Sequence, residues 1–145
     1  VAPDDAGTVV PVDGPLPAGV LGEVRCHQQI YRRRPDVNGI ARTFLRNVMT
    51  LSTFQRTPRP RIGFATYFAP MRGNGCILTG ATVEEAIVMA FYLEEAAKTE
   101  LAVMATGQEG ASLVLSDAQA QQRAVSSGQI FERMWDYLTA GDPEA

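Results

Sequence analysis

The stretch Cys76-Ile77-Leu78-Thr79-Gly80-Ala81-Thr82-Val83-Glu84-Glu85-Ala86-Ile87-Val88-Met89-Ala90 carries the decisive information about the fold. Its first five residues are a short apolar run closed by glycine, the pattern of a brief strand. Thr82 with Glu85 three residues later forms a capping box, which starts a helix by satisfying free backbone N–H groups. Val83, Ile87, Ala90, Ala97, Leu101 and Met104 then recur at spacings of three, four or seven. That period predicts a helix over 82–106, with Gly107 placed to stop it. Glu94 falls on the same stripe. A carboxylate on an apolar face needs a partner or carries a raised pKa. The expected partner is an arginine that ties the helix to the basic middle of the chain; the alternative is a site acid.

Upstream, Ile62-Gly63-Phe64-Ala65-Thr66-Tyr67-Phe68 reads as a strand and Arg72-Gly73-Asn74-Gly75 as a tight turn. Residues 45–54 read as a helix, broken by Thr57-Pro58-Arg59-Pro60. Val37 to Ala41 is a short strand candidate. Residues 21–33 read as a helix closed by Pro35, with Arg32-Arg33-Arg34 in its last turn, where cations suit the helix dipole. Thr8 to Val12 reads as an edge strand, followed by an Asp13-Gly14 turn. Downstream, Ser116 with Gln119 is a second capping box. A last helix is predicted over 117–139, with Gly128 weakening or bending it.

At 145 residues the chain is expected to form a single domain, 1–145. Its composition, 46% hydrophobic and 20% charged, is too apolar for a disordered chain. No run of about 18 apolar residues marks a transmembrane helix. The start shows no signal-peptide pattern, and the two cysteines make no disulfide framework. A cytoplasmic protein with free thiols and no membrane partner is therefore expected.

The net charge of −3 conceals an asymmetry. Residues 25–72 hold ten arginines and one acid, a block of +9; the remainder holds three bases and fifteen acids, −12. Such a block serves an anionic ligand or nucleic acid, or else it lies against acidic helices or an acidic neighbouring subunit. The acidic total weighs against a dedicated nucleic-acid binder, and no nucleic-acid partner is expected.

Few residues carry obvious chemistry. His27 is the single histidine, so no His-rich metal motif exists, and Cys26 and Cys76 do not complete a zinc set. No phosphate-binding glycine loop of a known type is present. Gly73-Asn74-Gly75 is either a hairpin turn or a row of N–H groups for an anion. Glu23 and His27 lie four apart on one helix, a spacing that permits a hydrogen bond and an acid–base pair.

Taken in order, Pro3-Asp4-Asp5, Val12-Asp13-Gly14 and Gly22-Glu23-Val24-Arg25-Cys26-His27-Gln28-Gln29-Ile30-Tyr31-Arg32-Arg33-Arg34-Pro35-Asp36-Val37 resemble the class II aldolase/adducin family. The resemblance resumes at Arg72-Gly73-Asn74-Gly75 and runs through Thr82-Val83-Glu84-Glu85-Ala86 to Leu93-Glu94-Glu95-Ala96-Ala97. It implies an α/β, class II aldolase-like three-layer fold with a central, mainly antiparallel sheet flanked by helices. It also implies that the family's helix and strands ahead of Pro3 are either shed or omitted from this chain; if they are shed, the sheet is completed by another chain or subunit.

Family enzymes use a divalent metal, usually zinc, held by a His-x-His pair and a third histidine. By resemblance the pair aligns with Arg42-Thr43-Phe44 and the third with Asn74, so no metal and no cofactor are expected here. Glu23 aligns with the family's catalytic carboxylate. The site implied is Glu23 and His27 as catalytic residues, with Arg42, Phe44, Gly73 and Asn74 binding a small anionic molecule. One function is a metal-independent, lyase-like enzyme of small carbonyl or carboxylate metabolism, with Arg42 as the positive centre. The other is a non-catalytic, adducin-like oligomerisation or partner subunit. Either is expected to work as a homo-oligomer or with a completing chain.

Overall fold

In a computed structural model, residues 10–68, 76–124 and 129–143 are described. In chain order they form α1 (Val24–Arg33), β1 (Gly39–Thr43), α2 (Arg46–Thr53), a 3-10 helix (Gly63–Phe68), β2 (Cys76–Gly80), α3 (Val83–Ala105), α4 (Asp117–Arg123) and α5 (Ile130–Leu138). Strands β1 and β2 pair antiparallel, with Gly39 opposite Gly80, Ala41 opposite Leu78 and Thr43 opposite Cys76. Helix α3 lies against both strands, and α2, α5 and the 3-10 helix pack on it in turn. Among the described residues no helix is long and apolar enough to cross a membrane.

Helix α3 starts where the capping pattern places it. The Thr82 hydroxyl accepts from the Glu85 N–H at 3.1 Å, and the Glu85 carboxylate accepts from the Ala81 N–H at 2.7 Å, one residue before the cap. Gly107, at φ 68°, follows its end. Its buried residues include Ala86, Ala90, Leu93, Ala97 and Glu100. Val83 and Ile87 are exposed. The buried seam thus shares Ala90 and Ala97 with the stripe read in the sequence but leaves Val83 and Ile87 outside it, and the buried carboxylate, at its C-terminal end, is Glu100.

Glu100 is 1% exposed. Arg59 Nε donates to it at 2.8 Å and Arg61 Nε at 2.5 Å. Arg59 also donates to Glu109 at 2.7 Å, and Arg56 pairs with that same carboxylate. Burial by itself pushes the Glu100 carboxyl up, but the hydrogen bonds from Arg61 and Arg59 outweigh it and hold the group below its ordinary range. Part of the arginine block is therefore spent inside the molecule, against α3 and the loop after it. The pairing expected for Glu94 does not form. Its carboxylate accepts from the backbone N–H groups of Asn47 and Val48, and from the Asn47 side chain.

The strand expected at 62–68 is a 3-10 helix over Gly63–Phe68. Ala65 and Phe68 are both buried in the core. A spacing of three brings them to one side in a 3-10 helix, whereas a strand would point them to opposite faces. Phe64 then stacks on Tyr92, ring centres 5.1 Å apart, and Tyr67 meets Phe131 at 5.8 Å.

The helix expected over 117–139 is two helices, α4 and α5. The Ser116–Gln119 capping box forms as read and starts α4. Gln129, in the left-handed region at φ 56°, precedes α5. The two helices serve different neighbours, α4 the 3-10 helix and α5 helix α3. The Tyr92 hydroxyl donates to the Ile130 carbonyl at 2.9 Å and pins the start of α5. Gly128 lies outside the described residues. At the other end of the chain, residues 10–12 form no strand, and Thr8 and Val9 lie outside the described residues. The strand placed at Val37–Ala41 begins two residues later, at Gly39.

Gly39 fits where no side chain would. A Cβ there would lie 2.1 Å from the Thr82 carbonyl oxygen, a backbone atom that cannot swing aside. Gly39→Ala is expected to cost about 1–3 kcal/mol by overpacking. Gly22→Ala, with open space around it, should change thermal unfolding little. Glu100→Gln leaves Arg61, only 4% exposed, without its counter-charge, at an expected cost of about 3–5 kcal/mol. The folded Glu100 carboxyl titrates below its ordinary value of 4.5. Its stabilisation is therefore complete above that value and lost as pH falls through the lower folded one. Urea unfolding across the acid range should show a shallower fall in stability for Glu100→Gln than for the native chain.

Candidate functional site

Residues of α1 and β1 build the candidate site. Gly22 and Glu23 form the turn that leads into α1, and the Glu23 backbone is already helical, at φ −61° and ψ −23°. The Glu23 side chain makes no capping bond to its own helix and projects into solvent, 54% exposed. Arg42 lies opposite Ile77 in the strand pair. Side chains alternate along a strand, so Arg42 points to the face away from the buried Cys76 and Leu78. Its guanidinium lies 4.9 Å from the centre of the Phe44 ring, within the reach of a cation–π contact.

Two of the residues singled out in the sequence therefore meet. Arg42 Nη2 is 4.0 Å from Glu23 Oε1, the long end of an ion pair, with the arginine side chain 38% exposed. A pair this open is worth little to stability, because water screens both charges. Its interest is chemical. A permanently charged planar guanidinium, partly desolvated by an aromatic ring, stands beside a carboxylate from another element. An anionic group can bind the guanidinium in two-pronged fashion and replace that carboxylate.

The other candidates fare differently. His27 sits one turn along α1 from Glu23 and is half-buried. The hydrogen bond that their spacing permits is not formed, and the imidazole makes none to the other described residues. Gly73 and Asn74 lie outside the described residues, as does the rest of the turn expected at Arg72–Gly75. Phe44, 63% exposed, is the platform under Arg42.

On the opposite face of the strand pair the Thr43 hydroxyl and the Cys76 thiol lie 3.1 Å apart. Burial pushes that thiol up, with only a partial offset from Thr43, so it is poorly suited to nucleophilic work. The cap that Glu94 places on α2 was not anticipated. Its signal was present in Leu45, an apolar residue at a position where a helix wants Ser, Thr, Asp or Asn.

Neither Arg42 nor Phe44 offers a lone pair to a metal ion. Among the described residues no three of His, Cys, Asp and Glu gather closely enough to hold one.

No family model matches the sequence, and no curated protein matches it. A search of solved structures does find likeness. The crystal structure of an aldolase II superfamily protein from Pseudomonas syringae superimposes with a TM-score of 0.64. The match is 20% identical and covers 89% of this chain and 68% of that one. At that identity the likeness shows a shared fold.

The donor set yields a direct expectation. Zinc added to chelator-free protein should not bind one-to-one through these positions. Stoichiometric zinc by elemental analysis, lost on Asn74→Ala, would contradict it.

Proposed function

We propose that this chain binds a small carboxylate- or enolate-bearing molecule at Arg42 and acts on it by lyase-like chemistry without zinc, within a divergent class II aldolase-like frame. The single observation that carries the reading is the meeting of Glu23 and Arg42 at 4.0 Å, with Phe44 beneath the guanidinium. In this reading the full three-layer arrangement surrounds the β1–β2 pair, and Gly73 and Asn74 take the ligand-binding role that the resemblance implies for them.

The chemistry follows from the charges. An incoming carboxylate pairs with Arg42 and displaces Glu23 from it. The freed carboxylate then accepts a proton from the carbon beside the ligand's carbonyl. Arg42 stabilises the negative charge that develops on the carbonyl oxygen as that carbon loses its proton. His27 serves as a second proton carrier one helical turn away. The molecule works in the cytoplasm as a homo-oligomer or with a completing chain.

A second reading is a non-catalytic, adducin-like subunit, and exposure favours it. Leu21 is 72% exposed and Phe44 63%, so apolar side chains flank the charges as they would at a contact surface.

The two readings separate on substitution. Oxalate, a planar dianion resembling an enediolate, serves as the probe in calorimetric titration. Arg42→Ala should weaken oxalate binding about tenfold or more, the loss of a charge-assisted bidentate contact, with little change in thermal stability. Glu23→Gln should leave oxalate binding intact. Native oxalate binding that Arg42→Ala leaves untouched would remove the site, and a change in oligomeric state on Phe44→Ala would support the second reading.

A further inference from the structure

We infer that Glu94, on α3, is a positioning residue for the Arg42–Phe44 pair, acting through the turn between β1 and α2; the inference rests on the ligand reading above only for its consequence on binding. Helix α2 lacks a cap of its own. Leu45 occupies the N-cap position in extended conformation and forms no side-chain bond to the helix. The first N–H groups of a helix must find acceptors, and in α2 they find them on another element. Both Glu94 carboxylate oxygens lie 3.0 Å from the Asn47 backbone N. Oε2 also takes the Val48 N–H at 3.2 Å, and Oε1 takes the Asn47 side-chain amide at 2.8 Å. A carboxylate at the positive end of a helix gains from the dipole as well.

The turn held in this way is the one that carries the site. Only Leu45 and Arg46 separate Phe44 from Asn47. The Phe44 ring is 63% exposed, so little other than Arg42 orients it. Its place under the guanidinium is thus set by the backbone direction between β1 and the first turn of α2. One end of that turn is fixed where Thr43 pairs with Cys76. The other end is fixed where Glu94 grips Asn47 and Val48. With Glu94 gone, the first turn of α2 loses its acceptors, Phe44 swings, and Arg42 loses both its platform and its set direction. Glutamine at 94 is a poor substitute, because its amide would point a donor at other donors.

The test reads geometry and binding separately. With Arg42 Cζ 4.9 Å from the Phe44 ring centre, the Arg42 Nε–H and δ-methylene protons of the native chain should carry a ring-current shift, calibrated by its loss in Phe44→Ala. Glu94→Gln should abolish most of that shift and weaken oxalate binding by about tenfold, through lost pre-organisation. Ser116→Ala, which breaks the α4 capping box away from this turn, should lower stability and leave the Arg42 shift in place. If Glu94→Gln does not fold, Asn47→Ala decides: it removes one of the bonds and should reduce the shift in part. An unchanged Arg42 shift in the folded Glu94→Gln chain, or in Asn47→Ala when Glu94→Gln does not fold, overturns the inference. A shift lost in a protein whose native form does not bind oxalate upholds the role of Glu94 and refutes the ligand reading.

Discussion

A carboxylate in a dry interior demands counter-charges, and Glu100 obtains two of them from one short segment. Arg59 and Arg61 reach it from either side of Pro60. The demand is strict, because a buried charge without partners costs more than most single packing defects. It fixes the path of the chain between α2 and the 3-10 helix, since both guanidiniums must converge on one point of α3. Leu115 donates its backbone N–H to the Pro60 carbonyl at 2.9 Å, so the loop after α3 is tied to the same place. The aromatic residues of the 3-10 helix are thereby delivered to Tyr92 and Phe131, and α5 is held against α3.

The second acid of α3 works on a different scale. Glu94 bonds to backbone rather than to arginine. Two carboxylates six positions apart on one helix thus organise the two ends of the segment that follows β1. Glu94 takes the start of α2, and Glu100 takes the chain after α2 ends. Between α1 and β1 the constraint is weaker. Helix α1 is held by Gln28, whose side chain donates to the Pro11 carbonyl at 2.7 Å, and by the open Glu23–Arg42 approach. The candidate site therefore has one firm wall, β1 with its turn into α2, and one lightly fastened wall, α1. That asymmetry suits a place where an incoming anion separates Glu23 from Arg42.

The arginine block illustrates how charge in sequence becomes charge in space. Arg56, Arg59 and Arg61 are consumed by Glu100 and Glu109, Arg34 by Asp36, and Arg32 by Asp13. The Asp36 carboxyl, hydrogen-bonded by Arg34, falls to about 2. Arg25, Arg33 and Arg46 remain exposed with no ion pair among the described residues, so only part of the block is neutralised inside the molecule. Among the paired arginines Arg42 has the longest approach to its acid, at the limit of ion-pair distance, which leaves its donors open to another anion.

Local chemistry written in consecutive residues was legible from the chain alone. Thr82 and Glu85 start α3, Ser116 and Gln119 start α4, and Pro35 follows α1, because caps and prolines act over three or four residues and need no distant partner. The β2 run and the shared neighbourhood of Glu23 and Arg42 were also readable, the latter through resemblance. The misreadings share one cause. A strand and a 3-10 helix compete over Gly63–Phe68, and local pattern favours the strand. The aromatic shelf of Tyr92 and Phe131 reverses that preference. The helix read over 117–139 stops at Ala124 and starts again after Gln129, and the two helices answer to different neighbours. Glu94 and Glu100 both sit at plausible positions along α3, and periodicity cannot tell a surface-facing stripe from a core-facing one. Which carboxylate is swallowed and which caps α2 depends on where Arg59, Arg61 and Asn47 arrive in space. Contacts across 39 to 47 residues make that choice, because burial and charge pairing act between elements that only the folded chain brings together.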